Sequence, residues 1–140
     1  MPRPPAVNKR TWTDSSIVHI TDVAHLAKIR AQAREAGVPV VIDFTATWCG
    51  PCRTIAPVFE ELSQQYNAAF LKVDIDEADD VAQAFAIRSM PTFVFLRPKD
   101  GLEEEIRFSG ANKPKLEGLV RATCAAVVRD GTEEEDKKSK

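Results

Sequence analysis

The sequence predicts one α/β domain, a single mixed sheet with helices on both faces. Two apolar runs carry the prediction, Val40-Val41-Ile42-Asp43-Phe44 and Thr92-Phe93-Val94-Phe95-Leu96, because strands this apolar are covered on both sides. Between them, Ile55, Phe59, Leu62 and Tyr66 recur at i, i+4, i+7 and i+11, the stripe of an amphipathic helix. The whole chain reads strand, helix, strand, helix, strand, helix, strand, strand, helix. That order fits a sheet whose parallel strands are joined by right-handed crossovers. At 140 residues the chain is one domain by length and buries about two-thirds of its unfolded surface, so it needs no disulfide staple.

Residues 1–13 are proline-rich and basic, with Arg3, Lys9 and Arg10 and no apolar signal-peptide core, and are expected to form a flexible arm. A transit-peptide remnant is the alternative for this acid-poor stretch, although it lacks the pattern of an amphipathic helix. Ile17-Val18-His19-Ile20 reads as a short strand. Thr21 or Asp22 then caps a helix that reaches Ala36 and stops at Gly37, with either Val23, Ala27 and Ala31 or Leu26 and Ile29 inward. His19 alternates outward from its strand and His25 rides an exposed helical turn; no ligand spacing joins them, so neither is assigned a metal. After the strand at Val40 comes the long helix. Pro51 falls near its first position, where a missing N–H has no intrahelical partner, and Pro57 falls inside, where it removes a hydrogen bond and is expected to kink the axis.

Phe70-Leu71-Lys72-Val73-Asp74 is the third strand, and residues 77–85 form a short helix with acids at its start and Val81 and Phe85 inward. Met90-Pro91 precedes the apolar strand at Thr92, and a proline at such a corner marks a candidate cis peptide bond. Pro98-Lys99-Asp100-Gly101 reads as a turn and residues 102–108 as an edge strand whose charges guard it against association. Asn112 caps a last helix with Leu116, Leu119, Val120, Thr123 and Val127 on one side and Cys124 among them as a small core residue. The run Glu133-Glu134-Glu135-Asp136-Lys137-Lys138 reads as a solvated, disordered tail.

The chemistry concentrates in Thr47-Trp48-Cys49-Gly50-Pro51-Cys52-Arg53, where a strand hands over to a helix. Unpaired N–H groups and the positive end of the helix dipole favour a thiolate at Cys49, which makes it the nucleophile. Cys52, one turn on, lies on the same face, within the Cα separation of about 5 to 6 Å that a disulfide spans, and is the resolving thiol. A C-x-x-C is open to zinc as well as to redox chemistry, but tetrahedral zinc needs four ligands, and beyond these two the sequence offers only Cys124, His19 and His25. Asp43, set among Val41, Ile42 and Phe44, is desolvated, which raises its proton affinity toward neutrality and suits it to general acid/base work. The bland reading makes it an acid satisfied by Lys72, should their strands lie side by side.

Three cysteines are too few for a secreted disulfide framework and leave Cys124 without a mate, which points to a reducing compartment. Nineteen basic and 21 acidic residues, interspersed to a net charge of −2, give no reason to expect nucleic acid or an anionic membrane as partner. No apolar run approaches the roughly 18 residues of a membrane span.

The decapeptide from Asp43 to Cys52 resembles the active-site signature of thioredoxin. So, in the same order, do Lys72-Val73-Asp74-Ile75-Asp76, Ile87-Arg88-Ser89-Met90-Pro91-Thr92-Phe93 and Phe108-Ser109-Gly110-Ala111-Asn112-Lys113. The flavour is eukaryotic. The resemblance implies a thioredoxin fold, with a central mixed five-stranded sheet flanked by four helices, spanning residues 16–128 between an arm (1–15) and a charged tail (129–140). It implies that Asp43 and Lys72 are neighbours below the site, with Lys72 tuning the acid that deprotonates the buried cysteine. It implies a cis Met90-Pro91 bond beside the cysteines and a flat substrate surface of Trp48, Gly50, Pro51, Met90, Pro91, Gly110 and Ala111. A reduced protein of this kind would exchange its dithiol for the disulfide of a client protein without cofactor or metal. A flavin-containing thioredoxin reductase drawing on NADPH would recycle it.

A monomer in the cytoplasm is expected, with a mitochondrion or another organelle as the alternative. Arg53 replaces the lysine frequent after the second cysteine, and Thr45 stands where many bacterial relatives carry an aromatic residue. Two rivals remain: a redox-inactive interaction module on the same scaffold, against which the intact cysteine motif with Asp43 and Pro91 argues, and a disulfide donor or isomerase. Isomerases usually carry histidine as the second spacer residue, and Gly50-Pro51 resembles the reductants instead.

Overall fold

In the computed structural model, which describes residues 17–127, the order of elements is β1 (Val18–His19), α1 (Val23–Ala36), β2 (Val40–Thr45), α2 (Gly50–Gln65), β3 (Tyr66–Asn67), β4 (Ala69–Asp74), α3 (Asp79–Ala84), β5 (Thr92–Lys99), β6 (Leu102–Ser109), α4 (Lys113–Thr123) and β7 (Ala125–Ala126). The expected arm and tail lie outside the described residues. Five strands form one mixed sheet in the order β1-β4-β2-β5-β6. The most apolar strand, β2, takes the middle, parallel to β4 from Val40↔Ala69 to Thr45↔Asp74 and antiparallel to β5 from Val40↔Leu96 to Phe44↔Thr92. With the four helices this is the five-stranded α/β architecture that the sequence predicts.

Alternation along each strand divides the core between the two faces. On one side Ile42, Phe44, Leu71, Val73 and Val94 pack with Leu26, Ile29 and Ala33 of α1 and Val81 of α3. On the other, Val41, Phe70, Phe93 and Phe95 pack with Ile55, Phe59 and Leu62 of α2 and Leu116 and Val120 of α4. Asp43 and Lys72, two residues on from Val41 and Phe70, therefore face α2.

Local chemistry sets the element ends. The Asp22 carboxylate accepts the His25 N–H at 2.8 Å, and Gly37 closes α1 at φ 76°, a left-handed conformation that glycine adopts without penalty. Of the two inward faces considered for α1, the structure selects Leu26 and Ile29, joined by Ala33; Val23 is 45% exposed. Asn112 caps α4 by accepting the Lys115 N–H. Pro57 lies within the continuous helix α2.

Four expectations are corrected. Tyr66 does not extend the stripe of α2: its backbone is extended, and with Asn67 it pairs antiparallel to Ala125 and Ala126 in a separate two-stranded sheet. For the same reason α4 ends at Thr123, and Val127 lies beyond it, its N–H donated to the Gln65 carbonyl. The turn after β5 is two residues, Asp100 and Gly101, both at positive φ (54° and 79°), as a tight hairpin turn with an Asp-Gly pair requires. Pro98 and Lys99 belong to β5, and Pro98 lies past the last pairing with β2, where a proline costs the sheet little. Finally, α3 begins at Asp79, because the N–H groups of Glu77 and Ala78 both turn back onto the Asp74 carbonyl.

Candidate active site

The carboxyl end of β2 delivers the chain into α2 through Ala46, Thr47 and Trp48, and this junction holds the two cysteines. Cys49 is the N-cap of α2, extended at φ −93° and ψ 112°, and its sulfur accepts the N–H of Cys52 at 3.2 Å. The two are joined as a disulfide with Cα atoms 5.3 Å apart. Cys49 is 6% and Cys52 2% exposed, so the residue at the helix tip is the less buried of the two. Both pack with Ala46, against Ile75 and Met90.

The residues that the family resemblance assigns to a substrate surface are placed as follows. Trp48 is 63% exposed and Pro51 is exposed, while Gly50 and Met90 are half-buried. The Met90-Pro91 bond is cis. Pro91 itself is buried, and its carbonyl accepts the Gly110 N–H at 2.8 Å, which brings Gly110 and the exposed Ala111 beside the cysteines' rim. Gly110 stands at φ 108°, a conformation open to glycine and strained for any other residue.

Beneath, Asp43 is 1% exposed and in register with Lys72 of β4, the neighbouring strand. Its Oδ1 has no hydrogen-bond partner. Burial pushes its carboxyl up from an ordinary 3.8 to about 7, and the Lys72 ammonium pulls the other way with less force. The side-by-side strands on which the lysine pairing depends are thus present, yet desolvation outweighs it. An opening of about 400 Å³ is lined by Cys52, Lys72, Thr45, Arg53 and Asp74 among others.

Three contacts go unmarked in the sequence reading. Trp48 donates its indole N–H to Asp76 at 2.9 Å, Arg53 donates to the Thr47 carbonyl at 2.7 Å, and Ile75 supports the disulfide from the loop after β4. Asp76 lies within a segment quoted for the family resemblance, but nothing in its spacing announces an indole partner 28 residues away.

Cys124 takes no part in the site. It packs between α4 and the sheet, and burial pushes its thiol up to about 11 against a smaller pull from the Thr123 hydroxyl. In the reduced protein, iodoacetamide at neutral pH is expected to label Cys49 and to spare Cys124 until denaturant is added. Peptide mass spectrometry of the labelled protein checks this, and equal labelling of the two in the folded state would refute it.

Among the described residues no helix is long and apolar enough to cross a membrane. The thioredoxin family model matches residues 17–122. Thioredoxin H-type of Oryza sativa subsp. indica is 50% identical over 90 residues, 64% of this chain and 71% of that protein. Thioredoxin Asp f 29 of Aspergillus fumigatus is 40% identical over 114 residues, 79% of this chain and 97% of that protein. Among solved structures, reduced thioredoxin pre-protein of Schistosoma mansoni superposes with a TM-score of 0.69 at 36% identity, over 77% of this chain and 98% of that one.

Proposed function

This chain belongs to the thioredoxin family and reduces protein disulfides through Cys49 and Cys52, and on that premise we propose how its residues divide the reaction. The Cys49 thiolate attacks one sulfur of a client disulfide. The client's S–S bond breaks, one client thiol leaves, and a mixed disulfide joins the other to Cys49. Cys52 passes its proton to Asp43 and attacks the Cys49 sulfur. The internal disulfide closes, and the client departs with both sulfurs reduced. No metal or organic cofactor enters these steps.

The observation that carries the assignment is the placement of the Cys49 sulfur at the tip of α2, where it faces the Cys52 N–H at 3.2 Å and the positive end of the helix. Lys72 tunes Asp43 from the neighbouring strand. Trp48, Gly50, Pro51, Met90, Pro91, Gly110 and Ala111 receive the client, with the Met90 backbone pairing with an extended client segment. Electrons come from an NADPH-dependent thioredoxin reductase, so the protein serves as an electron carrier. The cytoplasm, where an unpaired Cys124 stays reduced, is its place of action, and it acts as a monomer.

The test couples the full chain to a thioredoxin reductase and a disulfide-bonded protein and follows NADPH absorbance. Sustained consumption that requires the chain is expected. No turnover from a folded sample, with chemically reduced chain still reducing the client, would remove the reductase as donor. No reduction of the client even then would remove the catalytic reading altogether.

A further inference from the structure

We propose that the charge carried at position 19 governs, through Lys72, how readily Asp43 serves the resolving step, which makes position 19 a tuning position of the reaction. The inference rests on the general-base reading of Asp43. His19 on β1 is in register with Lys72 on β4, and Lys72 with Asp43 on β2. Registered residues of parallel neighbours share a face, and strands lie about 4.8 Å apart, so the three side chains form one row beneath α2. His19 is its exposed end and Asp43 its buried end.

The opening beside Cys52 takes in His19 and Lys72 as well as the cysteine. The charged groups that line it together with His19 are Lys72 and Asp74 on β4, Glu77 after that strand and Arg53 on α2, and Asp43 is in register with Lys72 on the far side. The Lys72 ammonium therefore has two directions to turn: inward to Asp43, or outward to Asp74 and Glu77. An imidazole at position 19 adds no carboxylate to the outward side and leaves the ammonium within reach of Asp43. A carboxylate there would draw it off, and Asp43 would hold its proton more tightly.

The test compares His19→Glu, His19→Lys and His19→Gln in the full chain, by single-turnover reduction of a protein disulfide against pH and by carboxyl-carbon NMR titration of Asp43. His19→Glu is expected to move both the acid limb of the rate profile and the Asp43 titration upward by about one pH unit, a fall in rate of roughly fivefold at pH 7, with rates converging above pH 9. His19→Lys should move both downward, and remains informative if the glutamate variant folds poorly. His19→Gln should move them by less than half as much. Alkylation of Cys49 should change little in all three. In a Lys72→Met background the shifts should collapse, since the route through the ammonium is gone. If neither the titration nor the rate limb moves, or if the shift is as large without Lys72, the inference is wrong. If the titration moves and the rate limb does not, the row transmits charge as described and the general-base reading of Asp43 is what fails.

Discussion

The Cys52→Ser variant is expected to lose multiple turnover entirely and to accumulate mixed disulfides with client proteins. Cys49 keeps its place as N-cap of α2 in that variant, so its sulfur still meets the helix amide and dipole and still attacks. The adduct then has no internal escape, because the only other cysteine, Cys124, is buried on the α4 side of the sheet with its thiol pushed up to about 11. Cys49→Ser leaves one thiol at the site, the 2%-exposed Cys52, and should form no adducts at all. Non-reducing electrophoresis of both variants with a disulfide-bonded client decides between the roles. Adducts from Cys49→Ser and none from Cys52→Ser would reverse them.

The parts of this molecule legible in its sequence are those governed by short-range pattern. β2 and β5 announce themselves because both their faces are covered, and the junction at Cys49 follows from Pro51 and the stripe behind it. A proline at the head of a buried strand marks Met90-Pro91 only as a candidate cis bond, and the family resemblance is what implies the cis form that the structure has. What escaped depends on contacts without period. The pairing of Tyr66 and Asn67 with Ala125 and Ala126 involves two residues a side, too few to alternate visibly, and it overrides a helical stripe that Tyr66 would otherwise continue. The inward face of α1 stays ambiguous because Val23, Ala27 and Ala31 form one apolar stripe and Leu26 and Ile29 another, and only packing against Phe44 and its neighbours separates them. At the site, Asp43 could be singled out as a buried acid, but whether Lys72 or desolvation rules it depends on strand order and burial depth, which no local pattern encodes. The same strand order puts His19 in that row.

Replacing Asp43 with asparagine is expected to stabilise the folded protein at alkaline pH while slowing disulfide exchange by on the order of 10²-fold at pH 7 to 8. The stability half follows from the sign of the shift. Burial lifts the folded carboxyl from 3.8 to about 7, so between those values the native state binds a proton that the unfolded state has released. Stability therefore falls as pH rises through that window, and above pH 7 the ionised carboxylate costs the fold roughly 4 kcal/mol. Asparagine carries no charge to desolvate, so the variant should lack this contribution to the slope between pH 4 and 8, and its advantage over the parent should grow with pH. Urea unfolding at pH 5 and pH 8 measures both curves. The activity half follows from the proposed role of Asp43 as proton acceptor for Cys52: without it the resolving thiol should ionise slowly, whereas Cys49, whose reactivity is assigned to the helix tip, should be alkylated at close to the parental rate. Stability and turnover should thus move in opposite directions in one variant. If asparagine instead lowers stability at pH 8 and leaves single-turnover exchange unchanged, Asp43 is a structural partner of Lys72, and the proton from Cys52 must leave by another route.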